Sequence, residues 1–139
     1  MPIAEEQNIV AREQTYTDVD FSFRANPVTG DIALKKGDRA IKQSVLNILL
    51  TKRGERPFDP NFGTNITAQL FENFDPIVEA LIDEEVRSSL RNNEPRVRVL
   101  NVTIDVSPDN NRLDVSVEFE IRSPEAPITS VSFSVERLR

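Results

Sequence analysis

The sequence predicts an α+β fold in which helices pack on one face of a small, mainly antiparallel sheet. Three observations carry that expectation. Apolar residues recur every four positions as Val78, Ile82, Val86 and Leu90, the stripe of an amphipathic helix. The period then drops to two: Leu113, Val115, Val117, Phe119 and Ile121 alternate with Asp114, Ser116, Glu118 and Glu120, as in a strand buried on one face. Finally, 139 residues suit one domain with a single core and no disulfide staples.

Residues 1–17 are polar and aperiodic, and read as an N-terminal arm ahead of a single domain over 18–139. Phe21-Ser22-Phe23 alternates like a short strand, Asn26 to Asp31 carries turn chemistry, and Ile32-Ala33-Leu34 returns, so a small hairpin is expected. Asp38, after Gly37, is placed to cap a helix over 39–52 whose stripe is Ile41, Val45, Ile48 and Leu49. Lys52 and Arg53 suit the negative end of that helix, and Gly54 suits its stop.

Pro57, Pro60 and Gly63 exclude regular structure over 55–64, and Phe58 and Phe62 are expected to pin that loop to the core. Ile66, Leu70 and Phe71 predict a helix of about two turns. Asp75 then caps a helix over 76–91 with Pro76 at its first position, where a missing N–H costs nothing. Pro95 ends the run, because the residue before a proline is driven out of the helical region.

Leu100, Val102, Ile104 and Val106 alternate next. Val97 and Val99 lie out of phase with them, which predicts a bulge or twist. Ser107 to Asn111 supplies a hairpin turn, and Val131, Phe133 and Val135 mark a third strand. A sheet of three strands leaves an edge unpaired, and an edge is a template for a visiting strand.

The chain has no histidine and no cysteine. That excludes Ser–His and Cys–His nucleophiles, thiolate or imidazole zinc sites and disulfides, and leaves carboxylates, lysines, hydroxyls and one tyrosine for chemistry. No metal or cofactor is expected. The N-terminus lacks the basic start and apolar run of a signal peptide, and no apolar stretch is long enough to span a membrane, so a soluble protein is expected.

Net charge is −6, but it is blocked along the chain. Residues 1–34, 35–56, 57–86, 87–98 and 99–139 sum to −4, +5, −7, +3 and −3. Such blocks suit either complementary faces within one fold or patches for a partner of opposite sign. An acidic total without aromatics among the bases argues against nucleic-acid binding.

Two short motifs stand out, Gly54-Glu55-Arg56-Pro57 and Glu94-Pro95-Arg96. Proline beside charged residues freezes the backbone, so the side chains project in set directions, and arginine suits a bidentate carboxylate. Glu55, Arg56, Glu94, Pro95 and Arg96 are therefore candidate partner-binding residues. The internal alternative is that Arg56 and Arg96 pair with acids of 72–85 in the same fold.

These motifs occur in order with Asp31-Ile32, Gly37-Asp38-Arg39-Ala40-Ile41-Lys42-Gln43-Ser44-Val45, Thr51-Lys52-Arg53, Phe62-Gly63 and Leu70-Phe71-Glu72. From about residue 18 to 122 the chain thus resembles the small baseplate wedge, or sheath-initiator, proteins of contractile phage tails and related injection machines, a family also called tail-lysozyme-like. The resemblance implies a structural virion protein of the tail baseplate, assembled in the host cytoplasm. It implies a fold resembling the conserved domain of the tail sheath protein. Glu94-Pro95-Arg96 would anchor the wedge core, and a sheet edge would template the first sheath ring by accepting its strands.

Implied partners are other baseplate wedge proteins, the tail sheath protein and hub or tube proteins, with six copies per baseplate and neither nucleic acid nor membrane. Two alternatives remain. A tail lysozyme would need two carboxylates with separated pKa values, from among Glu55, Asp59, Glu72 and Glu94. A small regulatory adaptor of similar fold would not be expected to carry both arginine–proline motifs.

Overall fold

The computed structural model describes residues 16–69, 75–107, 111–122 and 128–136. Its elements run β1 (Thr17–Val19), β2 (Leu34–Lys36), α1 (Asp38–Leu50), α2 (Ile66–Gln69), α3 (Pro76–Asn93), β3 (Val97–Ser107), β4 (Arg112–Ile121) and β5 (Ile128–Glu136). β3, β4 and β5 form an antiparallel sheet with β4 in the middle, and β1 and β2 form a separate two-stranded sheet. The helices cover one face of the larger sheet.

The core follows from the two periodicities. Ile41, Val45, Ile48 and Leu49 of α1 and Val78, Ile82, Val86 and Leu90 of α3 are buried with Leu113, Val115, Val117, Phe119 and Ile121 of β4. Val131 and Phe133 of β5 join the same cluster. On β3 the register slips between Val99 and Asn101, which leaves Leu100 as the extra residue and re-phases the alternation. Asp75 caps α3 as expected, its carboxylate accepting from the Ile77 and Val78 N–H groups at 3.0 Å each, with Pro76 beginning the helix.

Several local expectations are corrected. Phe21 and Phe23 do not form a strand. They sit in a turn after β1, edge to face with ring centres 6.2 Å apart, and Phe23 has a φ of 50° that a strand cannot accommodate. The hairpin instead pairs Thr17 with Lys36 and Val19 with Leu34. Tyr16 and Thr17, assigned by sequence to the arm, already belong to the fold, since the Gly37 N–H donates to the Tyr16 carbonyl and Thr17 is in β1. Residues 1–15 of that arm lie outside the described residues.

Gly37, not Asp38, is the N-cap of α1, and no side chain caps it. The helix ends at Leu50, with Thr51 turning extended, so Gly54 follows its end rather than terminating it. In the loop beyond, Phe62 packs against the core but Phe58 stands wholly in solvent. Leu70 and Phe71, and the centre of the β3–β4 turn, lie outside the described residues.

Candidate functional site

The Glu94-Pro95-Arg96 turn is built where α3 stops. Glu94 leaves the helical region at φ −135°, while its N–H still donates to the Leu90 carbonyl at 2.8 Å. That geometry swings its side chain inward until the residue is 2% exposed. Oε1 accepts from Arg96 Nε, and Oε2 accepts from both Arg96 Nη2 and the Ser44 hydroxyl of α1, all at 2.6 Å. Arg96 thus grips Glu94 as a two-pronged fork, the geometry for which guanidinium is suited.

The rest of Arg96 faces outward. Its side chain is 36% exposed, its guanidinium lies 4.9 Å from the centre of the Tyr16 ring, and no described residue bonds Nη1. Pro95 is exposed beside it. Burial pushes the Glu94 carboxyl up, but the Arg96 and Ser44 hydrogen bonds outweigh burial and hold it below its ordinary value. The Arg122 N–H donates to the Arg96 carbonyl at 2.8 Å, tying the turn to the end of β4.

Glu55 and Arg56 sit on a second, separate surface. Residues 52–64 fold back on themselves: Arg53 N–H donates to Thr64 O at 3.0 Å, Gly54 N–H to Pro60 O at 2.9 Å, and Thr64 N–H to Thr51 O at 2.9 Å. The Ser89 hydroxyl of α3 donates to the Gly63 carbonyl at 2.8 Å and fastens the loop to the core. Glu55 is exposed, its carboxylate accepting from the Lys52 N–H at 3.0 Å. Arg56 lies over the Phe62 ring at 3.6 Å from its centre, a cation–π contact. Ser44 sits mid-helix, whereas this loop follows the end of α1, about 9 Å further along the axis at 1.5 Å per residue. The five candidate residues therefore do not make one site.

The internal alternative for the arginines takes a different form from the expected one. Arg96 is paired within the fold, but to Glu94 rather than to an acid of 72–85. The blocked charges do meet elsewhere, through Arg53–Glu85 at 2.8 Å and Arg87–Asp83 at 2.9 Å. Sequence reasoning missed Ser44 and Tyr16, whose roles depend on contacts across 50 and 80 positions. It also missed Phe58 as a projecting residue, though the flanking Pro57 and Pro60 were a usable signal.

On the polar face of the sheet, Asp105, Arg112, Asp114, Ser116, Ser132 and Ser134 line an open depression of about 330 Å³. The Ser134 hydroxyl and Arg112 hold the Asp114 carboxyl low. Among the described residues no cluster of His, Cys, Asp and Glu is arranged to hold a metal ion, and no helix is long and apolar enough to cross a membrane.

The chain is similar to known proteins both in sequence and in structure. The chain is 36% identical over 106 residues to the baseplate wedge protein gp25 of Enterobacteria phage T4, covering 76% of this chain and 80% of that protein. Its structure is similar to that of a Geobacter sulfurreducens protein described as a candidate tail lysozyme, with a TM-score of 0.67 and 29% identity, covering 77% of this chain and 96% of the other. It is also similar to a chain of the anti-feeding prophage baseplate, with a TM-score of 0.62, 26% identity and 84% of each chain covered. The family described as baseplate wedge protein gp25 matches residues 35–126, a stretch that takes in α1, the 52–64 loop, α3 and the Glu94-Pro95-Arg96 turn, and the chain belongs to that family.

Proposed function

We propose that this chain is a structural component of a contractile-tail baseplate, anchored to the wedge core through Pro95 and Arg96 and offering a sheet edge on which the tail sheath begins to assemble. The observation that carries the anchoring is the division of labour at the turn. Glu94 is buried and fully engaged, so it positions Arg96, whose outer edge and neighbouring Pro95 remain for a partner. Glu55 and Arg56, on their hydrogen-bonded loop, are a second contact in the same reading.

For the edge, β5 is favoured over β3. It pairs with β4 through nine successive residues without a register shift and sets Ser130, Ser132 and Ser134 outward. β3 is broken by its bulge, a feature that protects edges from pairing. Wedge proteins, the sheath protein and hub or tube proteins are the partners of this reading.

A lysozyme role fits less well. Glycoside hydrolysis needs a carboxyl raised to serve as acid, whereas Glu94 is held low by Arg96 and Ser44. Glu55 and Asp59 stand in solvent, and Glu72 lies outside the described residues.

Arg96→Ala and Arg96→Lys, compared in the full chain, test the anchor. Arg96→Ala leaves Glu94 with Ser44 alone and is expected to cost about 1–2 kcal/mol while the chain stays folded, with incorporation into baseplates falling sharply. Lysine restores a charge for Glu94 but not the fork, so it should recover thermal stability without recovering incorporation. Recovery of both would make Arg96 a purely internal residue. For the edge, Ser132→Pro is expected to block sheath polymerisation more than baseplate assembly, with circular dichroism confirming the fold; equal loss of the two would count against β5.

A further inference from the structure

The arginines of both proline motifs lie against an aromatic ring. Arg56 sits over Phe62 at 3.6 Å from the ring centre, and Arg96 over Tyr16 at 4.9 Å. Both rings are partly buried and pack against the core, so the fold holds each in place. Tyr16 is fixed through its backbone as well. Its carbonyl accepts the Gly37 N–H at 2.7 Å, and the strand that follows it is tied to α1 by Gln43, whose side-chain amide donates to the Val19 carbonyl at 2.6 Å. A guanidinium is flat and donates within its own plane. The two hydrogen bonds to Glu94 fix the Arg96 group in that plane, but they leave it free to hinge about the line joining them. A rigid ring beside the group blocks the swing toward it.

We propose that Tyr16 is a positioning residue for the Pro95–Arg96 contact, its ring backing the Arg96 guanidinium so that Nη1 is already aimed outward when a partner arrives. Glu94 holds one edge of the group, Tyr16 backs it, and Nη1 is the nitrogen that no described residue engages. Charge points the same way. Glu94, and after it Tyr16 and Asp18, hold the Arg96 pKa above its ordinary value although burial opposes them. Ordering a long side chain in advance raises affinity by removing a cost of binding, without adding a contact. The attraction between cation and ring also strengthens when water is excluded from it, as docking over Pro95 would do. This role rests on Pro95 and Arg96 being the anchor, and extends it to a residue of the N-terminal hairpin.

Tyr16→Phe and Tyr16→Leu, each alone and combined with Arg96→Ala in the full chain, test the role, with incorporation into baseplates scored in competition with the wild-type chain. Phenylalanine keeps the ring and should leave melting temperature and incorporation unchanged. Leucine keeps the apolar packing but not the ring; it should lower the melting temperature by a few degrees at most and cut incorporation about tenfold. In the Arg96→Ala background Tyr16→Leu should cost nothing further, since the ring acts through that arginine. In the free chain the Tyr16 ring should shift the Arg96 side-chain proton resonances upfield, a shift kept by Tyr16→Phe and abolished by Tyr16→Leu. The role is overturned if Tyr16→Leu incorporates like wild type while Arg96→Ala does not, an outcome that leaves the anchor standing. It is also overturned if Tyr16→Phe fails as Tyr16→Leu does, which would assign the effect to the hydroxyl. Losses that multiply in the double variant would overturn it too, because a ring that only supports packing acts independently of Arg96. Normal incorporation of Arg96→Ala would remove the anchor and this role together.

Discussion

Gly63→Ala should lower the unfolding free energy by about 3 kcal/mol or more, the range in which backbone strain and an immovable clash combine. Gly63 has φ +98°, and an added Cβ would run into the Thr51 carbonyl oxygen and lie 2.9 Å from its carbon. Both atoms are backbone, so no rotamer change relieves the contact. The same carbonyl accepts the Thr64 N–H at 2.9 Å, so moving it away dismantles the bridge between Lys52 and Thr64 that closes the loop. Gly30 supplies the comparison. Its φ is +71°, but nothing lies within 4 Å of its would-be Cβ, so alanine there should cost only the conformational term of about 1–2 kcal/mol. Urea unfolding of the two variants separates the causes. Equal losses would show that close approach is not what Gly63 provides.

Glu94→Ala should cost about 2–3 kcal/mol. It removes the acceptor of three hydrogen bonds and strands the Ser44 hydroxyl and the Arg96 fork. Breaking a fully buried pair would cost more, but the Arg96 side chain is over a third exposed and water recovers part of its solvation. For a chain of this size the loss corresponds to a melting temperature lower by roughly 10 °C.

The effect is also pH-dependent, with a definite sign. The folded carboxyl is held below the ordinary glutamate value of 4.5. Its stabilisation is therefore complete above that value and is lost as pH falls through the lower, folded one. Thermal melts of the wild type and Glu94→Gln should differ at pH 7 and converge on acidification well below pH 4.5. A difference that grows on acidification would mean that Glu94 is carried in the fold as the neutral acid.

Where local chemistry and tertiary packing ask for the same thing, the sequence was legible. α3 has a cap, a proline start and an unbroken stripe, and all three were readable because each is set by residues within a turn or two of one another. The phase slip at Val97 and Val99 announced a bulge or a twist in β3, because alternation by two cannot absorb a slip unaided, and the structure resolves it as a bulge at Leu100. The N-terminal hairpin was misread because Phe21 and Phe23 look like strand residues, while the backbone there turns to let β1 meet β2 beside α1.

The candidate site was half legible. Proline beside paired charges marked Glu94, Pro95 and Arg96, but nothing in their spacing told the inward residue from the outward ones. That depends on Ser44, which lies 50 positions away and contributes a single hydroxyl. Long-range pairs of this kind leave no period in the chain.

The sequence by itself determined the α+β class, the stripes that make the core, and the absence of histidine and cysteine that turns attention from catalysis to docking. Its ordered motifs also determined the family. Only the tertiary structure decided that Glu94 is a buried clamp, that Arg96 faces two ways and that Phe58 projects. The physical reason is one of range. Periodicity and caps are written by neighbours along the chain, whereas burial and charge pairing are settled by whichever surfaces the completed fold brings together.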